Sequence, residues 1–340
     1  MKTSDLLRIS CLLSLTVSLC AAQTYTVTDL GTFAGDAYSV ARGINATGQI
    51  TGAAGPNNSP HSDVFVYSNG TLTNLGTLGG ISGIGNGINA SGQVAGYSQN
   101  SSGTYRAFIS NGDKLTDIGD LGGGSAVAYA INDLGQVVGS AVTSGHANHP
   151  FLYSSGRMID LGTLGSPENN SWWNSATGVN NSGAVTGTSY DAQGNFFGFV
   201  WKNGTMKKLG TLGGPWSQGY AINNKGQVTG VAYTADGNAH AFIASASGKL
   251  KDLGVFAGKF SITWGFGIND SGVVVGQSTF QGTYHAFVYS GGKIKDLNTL
   301  VPKNSGWVLI HAHSINNDGQ IVCTGMRNDG TEHAFLLTPR

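Results

Sequence analysis

The side chains that could do chemistry are histidines, carboxylates and one thiol, and their spacing limits what they can do. His149, His240, His285 and His333 each stand two residues before a Phe, one in each of four of the segments of 43 to 48 residues that repeat along the chain. A zinc site needs three or four such ligands around one ion. Histidines set one to a segment fall on separate structural units, so they read as packing residues. His311 and His313 alternate along "HAHS" and share one strand face, with no third ligand beside them in the sequence. HExxH, paired CxxC and GxSxG are absent. Neither a metal nor a cofactor is expected. The Glu residues are Glu168 and Glu332 alone. Asp29, Asp117, Asp160, Asp252 and Asp296 open a repeated "DLG"-type triplet, and Asp133, Asp270 and Asp318 sit in a repeated N-x-x-G turn. A residue that recurs in most copies reads as scaffold. A glycosidase sets two carboxylates across one bond. Outside the repeat slots the candidates are Asp36, Asp63, Asp191, Asp236, Glu168 and Asp329, and no motif pairs them. No catalytic residue is assigned.

The elements that hold these residues begin after a distinct leader. Lys2 and Arg8 precede the apolar run "ISCLLSLTVSLC", and Cys20 and Ala22 sit at the −3 and −1 places of a cleavage site. Residues 1–22 therefore predict a secretory signal peptide, too short to span a membrane. Lipidation at Cys20 is the alternative, against which Leu19 is bulky for a lipobox. No second apolar segment follows, so no membrane span is expected. Cleavage leaves Cys323 as the one cysteine, read as a small buried residue without a disulfide partner. Of 340 residues only 11% are charged, and 18 Lys and Arg balance 18 Asp and Glu. Neutrality argues against a nucleic-acid partner and against an electrostatic grip on anionic lipid.

Residues 23–340 read as a single domain of seven repeats. Asn45, Asn89, Asn132, Asn180, Asn223, Asn269 and Asn316 each follow Ile or Val and precede a Gly by three. Phe65, Phe108, Phe151, Phe199, Phe242, Phe287 and Phe335 mark a second register, and the "DLG" triplet a third. Asn opening a type I turn, with Gly supplying the positive φ that follows, explains the N-x-x-G spacing as turn chemistry. Each unit then reads as four strands, as in "GYAIN", "QVTGVA", "HAFIAS" and "KLKDLGTL". Three hairpins and one longer crossing per unit make the plan of a propeller blade, with "GYAIN" innermost. The last unit stops after its third strand, and the mature chain opens with a spare fourth, "TYTVTDLG". The expected fold is all-β: a seven-bladed β-propeller of four-stranded blades, monomeric, the last blade completed by the N-terminal strand. A β-solenoid is the alternative, but it has no need of complementary ends.

The pattern "DLGTLGG…GIN..GQVVG…HAF.Y" resembles the extracellular HAF repeat family of bacterial proteins over residues 25–338. The departures are "DVF" at 63–65, "RAF" at 106–108, "HPF" at 149–151 and "FGF" at 197–199. The resemblance implies secretion and repetition and carries no activity. Function on a repeat scaffold sits where the copies differ. Trp172, Trp173, Trp216, Trp264 and Trp307 all fall in the links that follow the fourth strand, on one face of the disc. Indoles beside Asn, Ser and Gln suit sugar stacking; the other reading is that they plug the channel mouth. The expectation is a secreted non-catalytic binding or scaffold protein with an extracellular glycan, or another protein, as partner. An extracellular polysaccharide lyase or hydrolase, or an adhesive propeller that binds protein, is the alternative.

Overall fold

The N-x-x-G stretches fold as tight hairpin turns for a reason visible in their hydrogen bonds. Asn45 Oδ1 accepts from the Thr47 and Gln49 N–H groups at 3.1 and 2.9 Å, and the Gly48 N–H bonds the Asn45 carbonyl at 3.2 Å. Gly48 takes φ 79°, which any side chain would strain. The computed structural model describes residues 24–340 except 57–58, 166–172, 246–247, 257, 259–260 and 304–305. The leader with Cys20 and Ala22, and also Glu168 and Trp172, lie outside the described residues.

Blade one runs Tyr38–Ile44, Ile50–Gly55, Asp63–Ser68 and Thr71–Gly76, all antiparallel, and the plan recurs to make seven four-stranded sheets. The first strands of successive blades contact one another around the ring, and the seventh meets the first. The chain is thus a seven-bladed β-propeller. Its last blade is Val308–Ile315, Ile321–Met326 and Glu332–Pro339, completed by Tyr25–Asp29 from the N-terminal end. Tyr25 pairs with Pro339 and Asp29 with Phe335. This closure covers an edge that would otherwise recruit a foreign strand. Among the described residues no helix is long and apolar enough to cross a membrane.

Packing explains the other two markers. Each marker Phe lies across from a second-strand residue, which is Gly52, Gly96, Gly139, Gly187, Gly230 and Gly276 in six blades and Cys323 in the seventh. These rings are at most 3% exposed, each worth roughly 1.5–3 kcal/mol of burial. Glycine is required because the first strand pushes a carbonyl against it. A Cβ at Gly52 would lie 1.8 Å from the Val40 oxygen, and one at Gly230 would lie 1.9 Å from that of Gln218. Cys323, fully buried, takes the glycine's place in the seventh blade, where the first strand slips register between Leu309 and His311 as well as at the bulge.

The His of the "HAF" triplet and the Asp of "DLG" prove to be two ends of one contact. His149, His240, His285 and His333 hold Asp160, Asp252, Asp296 and Asp29 through Nδ1 at 2.7–2.9 Å. Where the triplets depart, the contact persists between other side chains. Arg106 meets Asp117 at 2.8 Å, Asn74 donates to Asp63 at 2.7 Å, and Lys208 lies 3.2 Å over the Phe197 ring. The histidines therefore pack, as expected, but across the outer hairpin of their own blade. For the seventh blade the pair joins the two ends of the chain.

Candidate functional site

The first strand of every blade carries a β-bulge, and the bulge builds the site. The pairing with the second strand skips one residue in each blade: Arg42, Asn86, Tyr129, Thr177, Tyr220, Phe266 and His313. All seven line one cavity on the propeller axis. They are flanked by small residues because neighbouring first strands nearly touch. A Cβ at Gly43 would lie 3.1 Å from Gly87 Cα, and one at Gly178 would lie 3.1 Å from Ala221 Cα. A bulge re-aims a side chain that the pleat would otherwise send into the sheet face.

Above the bulge ring the cavity opens as a cup of about 360 Å³, lined also by Tyr38, Val40, Gln277, His311, Thr324 and Glu332. Below it a ring of Ile44, Ile88, Ile131, Val179, Ile222, Ile268 and Ile315 borders the axis. The opposite mouth is rimmed by six of the seven turn asparagines, all but Asn89, and the seven do more than shape turns. Each donates Nδ2 to the main-chain carbonyl of the next, Asn45 to Asn89 at 2.9 Å and so on to Asn316, which returns to Asn45 at 3.1 Å. The ring of latches is closed and buried.

Two histidines set the cup's electrostatics. Arg42 Nη1 lies 3.2 Å from His313 Nδ1, and His313 Nε2 lies 3.1 Å from the Thr324 hydroxyl. Burial, with Arg42 nearby, lowers His311 to about 4 and holds His313 well below the usual histidine value. Both rings are neutral near pH 7. Burial pushes Tyr129 up to about 12 and raises Tyr38 and Tyr97, so these phenols keep their protons. Burial also raises Glu332, against the pull of Arg42. Buried Gln277 Oε1 and His311 Nδ1 have no partner among the described residues. Glu332 is the one carboxylate among the described residues of the cup, so a two-carboxylate hydrolysis finds no second member there.

The tryptophans divide into three places. Trp216 and Trp264 lie on the first strands Gly213–Ile222 and Thr263–Ile268, not in the preceding links, because those strands begin earlier than the sequence suggests. Trp173, which is 52% exposed, stacks on Phe196, and Phe196 leads to Trp216 and Tyr233 with centroids 4.2–6.0 Å apart. Trp264 meets Tyr284, which meets His311 in the cup. Trp307 stands apart, between His333, Phe335 and the Arg327 guanidinium. Among the described residues no three His, Cys, Asp or Glu converge to hold a metal.

Apart from His313, the bulge residues were not singled out in the sequence, although a signal existed. The place three before each repeat Asn carries Arg, Asn, Tyr, Thr, Tyr, Phe and His between small neighbours.

No protein-family model matches the chain, and no curated protein matches it. Among solved structures it is similar to the Pyrococcus horikoshii acylaminoacyl peptidase, with TM-score 0.56 and 12% identity over 92% of this chain and 53% of that one. A Mycobacterium tuberculosis puromycin-hydrolyzing peptidase gives TM-score 0.59 and 12% identity, over 87% of this chain and 50% of that one. The chain thus spans about half the length of these peptidases. The BP39L lectin from Burkholderia pseudomallei gives TM-score 0.49 and 11% identity over 92% of this chain and 95% of that one. At these identities the likeness shows the fold alone.

Proposed function

We propose that the chain is a non-catalytic carbohydrate-binding protein that works outside the cytoplasm and takes its ligand on the aromatic face and in the axial cup. One observation carries the reading: the scaffold positions repeat from blade to blade, while the differing bulge side chains converge on a single cup. The chemistry there suits a sugar. Trp173, exposed and backed by Phe196 and Trp216, offers a ring face to an apolar C–H surface. Gln277 Oε1 and His311 Nδ1 are polar atoms in want of hydroxyl partners. A cup of about 360 Å³ lies at the small end of ligand pockets. Export rests on the pattern of residues 1–22 and on the resemblance to extracellular HAF repeat proteins.

The test is intrinsic tryptophan fluorescence of the purified mature chain, titrated with soluble polysaccharides. A saturable change that Trp216→Ala and Trp264→Ala abolish is expected. A flat response across the panel would end the carbohydrate reading and turn the search to protein partners.

A further inference from the structure

The cup holds one formal cation among its described lining residues, Arg42. As the extra residue of its bulge it is pinned between Ala41 and Gly43, both paired to the second strand. Its side chain is exposed at the axis, and no carboxylate among the described residues comes within 4 Å of it. By contrast, Arg106 holds Asp117 and Asp120, and Arg327 covers Trp307.

A guanidinium has no acceptor, so the His313 nitrogen facing it at 3.2 Å must be the bare one. The proton then sits on Nε2 and is donated to Thr324. His313 therefore positions the guanidinium without adding charge. The same cavity wall holds Gln277, 8% exposed, whose Oε1 has no partner among the described residues. An amide oxygen can only accept, so an occupant must bring a donor to it. The aliphatic ring beneath narrows the axis with residues such as Ile44 and Ile268, each 8% exposed. A chain-like ligand would therefore enter by its end.

Resting on the carbohydrate reading, we infer that the cup takes the terminal uronic acid residue of an acidic glycan: Arg42 grips the carboxylate, and Gln277 Oε1 accepts from a hydroxyl. A planar guanidinium matches a carboxylate with two parallel hydrogen bonds. Glu332 also lines the cup, and it opposes such a ligand rather than aiding it.

The experiment is isothermal titration of the full mature chain with trigalacturonate and trimannuronate, with their methyl esters, and with galactotriose. Thermal melts check that each variant folds. The acid trimers should bind more tightly than their esters. Arg42→Gln should weaken acid trimers about 10- to 100-fold, the range of a lost charge-assisted contact, and remove the preference over esters. Glu332→Gln should tighten them. Equal binding of acid and neutral trimers, or an Arg42→Gln variant that binds acid trimers like the wild type, overturns the inference and leaves the carbohydrate reading standing. Weaker acid-trimer binding in Glu332→Gln also overturns it, since the cup would then favour a cationic group. No binding of any trimer overturns both.

Discussion

Asn180 decides whether the repeated asparagine is a turn residue alone or also a latch between blades. Its Oδ1 accepts from the Ser182 N–H at 3.1 Å, the Ser182 hydroxyl at 2.8 Å and the Ala184 N–H at 3.0 Å. Its Nδ2 donates to the Asn223 carbonyl of the next blade at 2.9 Å. In blade one the same nitrogen also meets Gln49 Oε1, but blade four has Ala184 at that place, which makes it the cleaner probe. Asn180→Asp keeps the oxygen that shapes the turn and sets a second oxygen against a carbonyl, at a residue only 4% exposed. One buried hydrogen bond is worth about 1 kcal/mol net, and stranding its partner costs about 1–3 more, so the loss should be about 2–4 kcal/mol. With a melting entropy of ~2.1 cal/mol/K per residue over a domain of this length, that lowers Tm by about 3–6 °C at pH 7. The new carboxyl, buried and facing a carbonyl, has a folded-state pKa above its unfolded value of about 3.9. When protonated it can donate to Asn223, so the deficit against wild type is smallest at low pH and grows as pH rises through the folded pKa. Calorimetric melts at three pH values between about 4 and 7 read both effects. A variant that melts within about 1 °C of wild type at pH 7 would refute the latch, because Asp serves an Asx turn as well as Asn does.

Two further outcomes follow from the cup and the glycine column. His311 and His313 are both depressed in the folded state, so the unfolded chain takes up protons first and stability is lost as pH falls from about 6.5 toward 4. The melting temperature should drop over that window, and less steeply in His311→Gln; identical pH profiles would show that burial does not hold this ring neutral. Gly230→Ala places a Cβ 1.9 Å from the Gln218 carbonyl oxygen, a backbone atom that cannot swing away. It should cost at least the roughly 1–3 kcal/mol of an overpacked core, read by chemical denaturation; a wild-type unfolding midpoint would mean the bulge relaxes freely.

The parts of the fold written in local chemistry were legible in the sequence. Asn45 with Gly48, and its six counterparts, announce a turn from within four residues, and seven copies make the announcement hard to miss. The ends were legible because the fourth strand missing after Phe335 is the spare strand at Tyr25–Asp29. What stayed hidden depends on pairing over distance. The His149 column and the Asp160 column read as two independent markers, although Asp63 with Asn74 and Phe197 with Lys208 show them changing together. The Asn latch was hidden behind a sufficient local explanation, since its partner lies 43 to 48 residues away or across the closure. Trp216 and Trp264 were assigned to links because nothing local marks where a first strand begins.

The cup was hidden for a different reason. Strand alternation would send Arg42 or His313 to the same face as alternate residues, and only the pairing with the second strand reveals the bulge that turns it to the axis. That geometry also explains why the copies differ there. Gly230 is constrained by the Gln218 carbonyl, and Phe242 by the glycine across from it. Asn223 is constrained by its own turn and by the next blade at once. A change at any of them disturbs two contacts. The bulge side chain has no such double obligation: Thr177 reaches the Gly219 carbonyl, Asn86 the Ala128 carbonyl, and Arg42 only a histidine of the neighbouring blade. Seven repeated frames thus leave one unconstrained side chain each, and the symmetry that makes the frames alike delivers those seven side chains to a single place. A ring built this way can change its ligand without changing its fold.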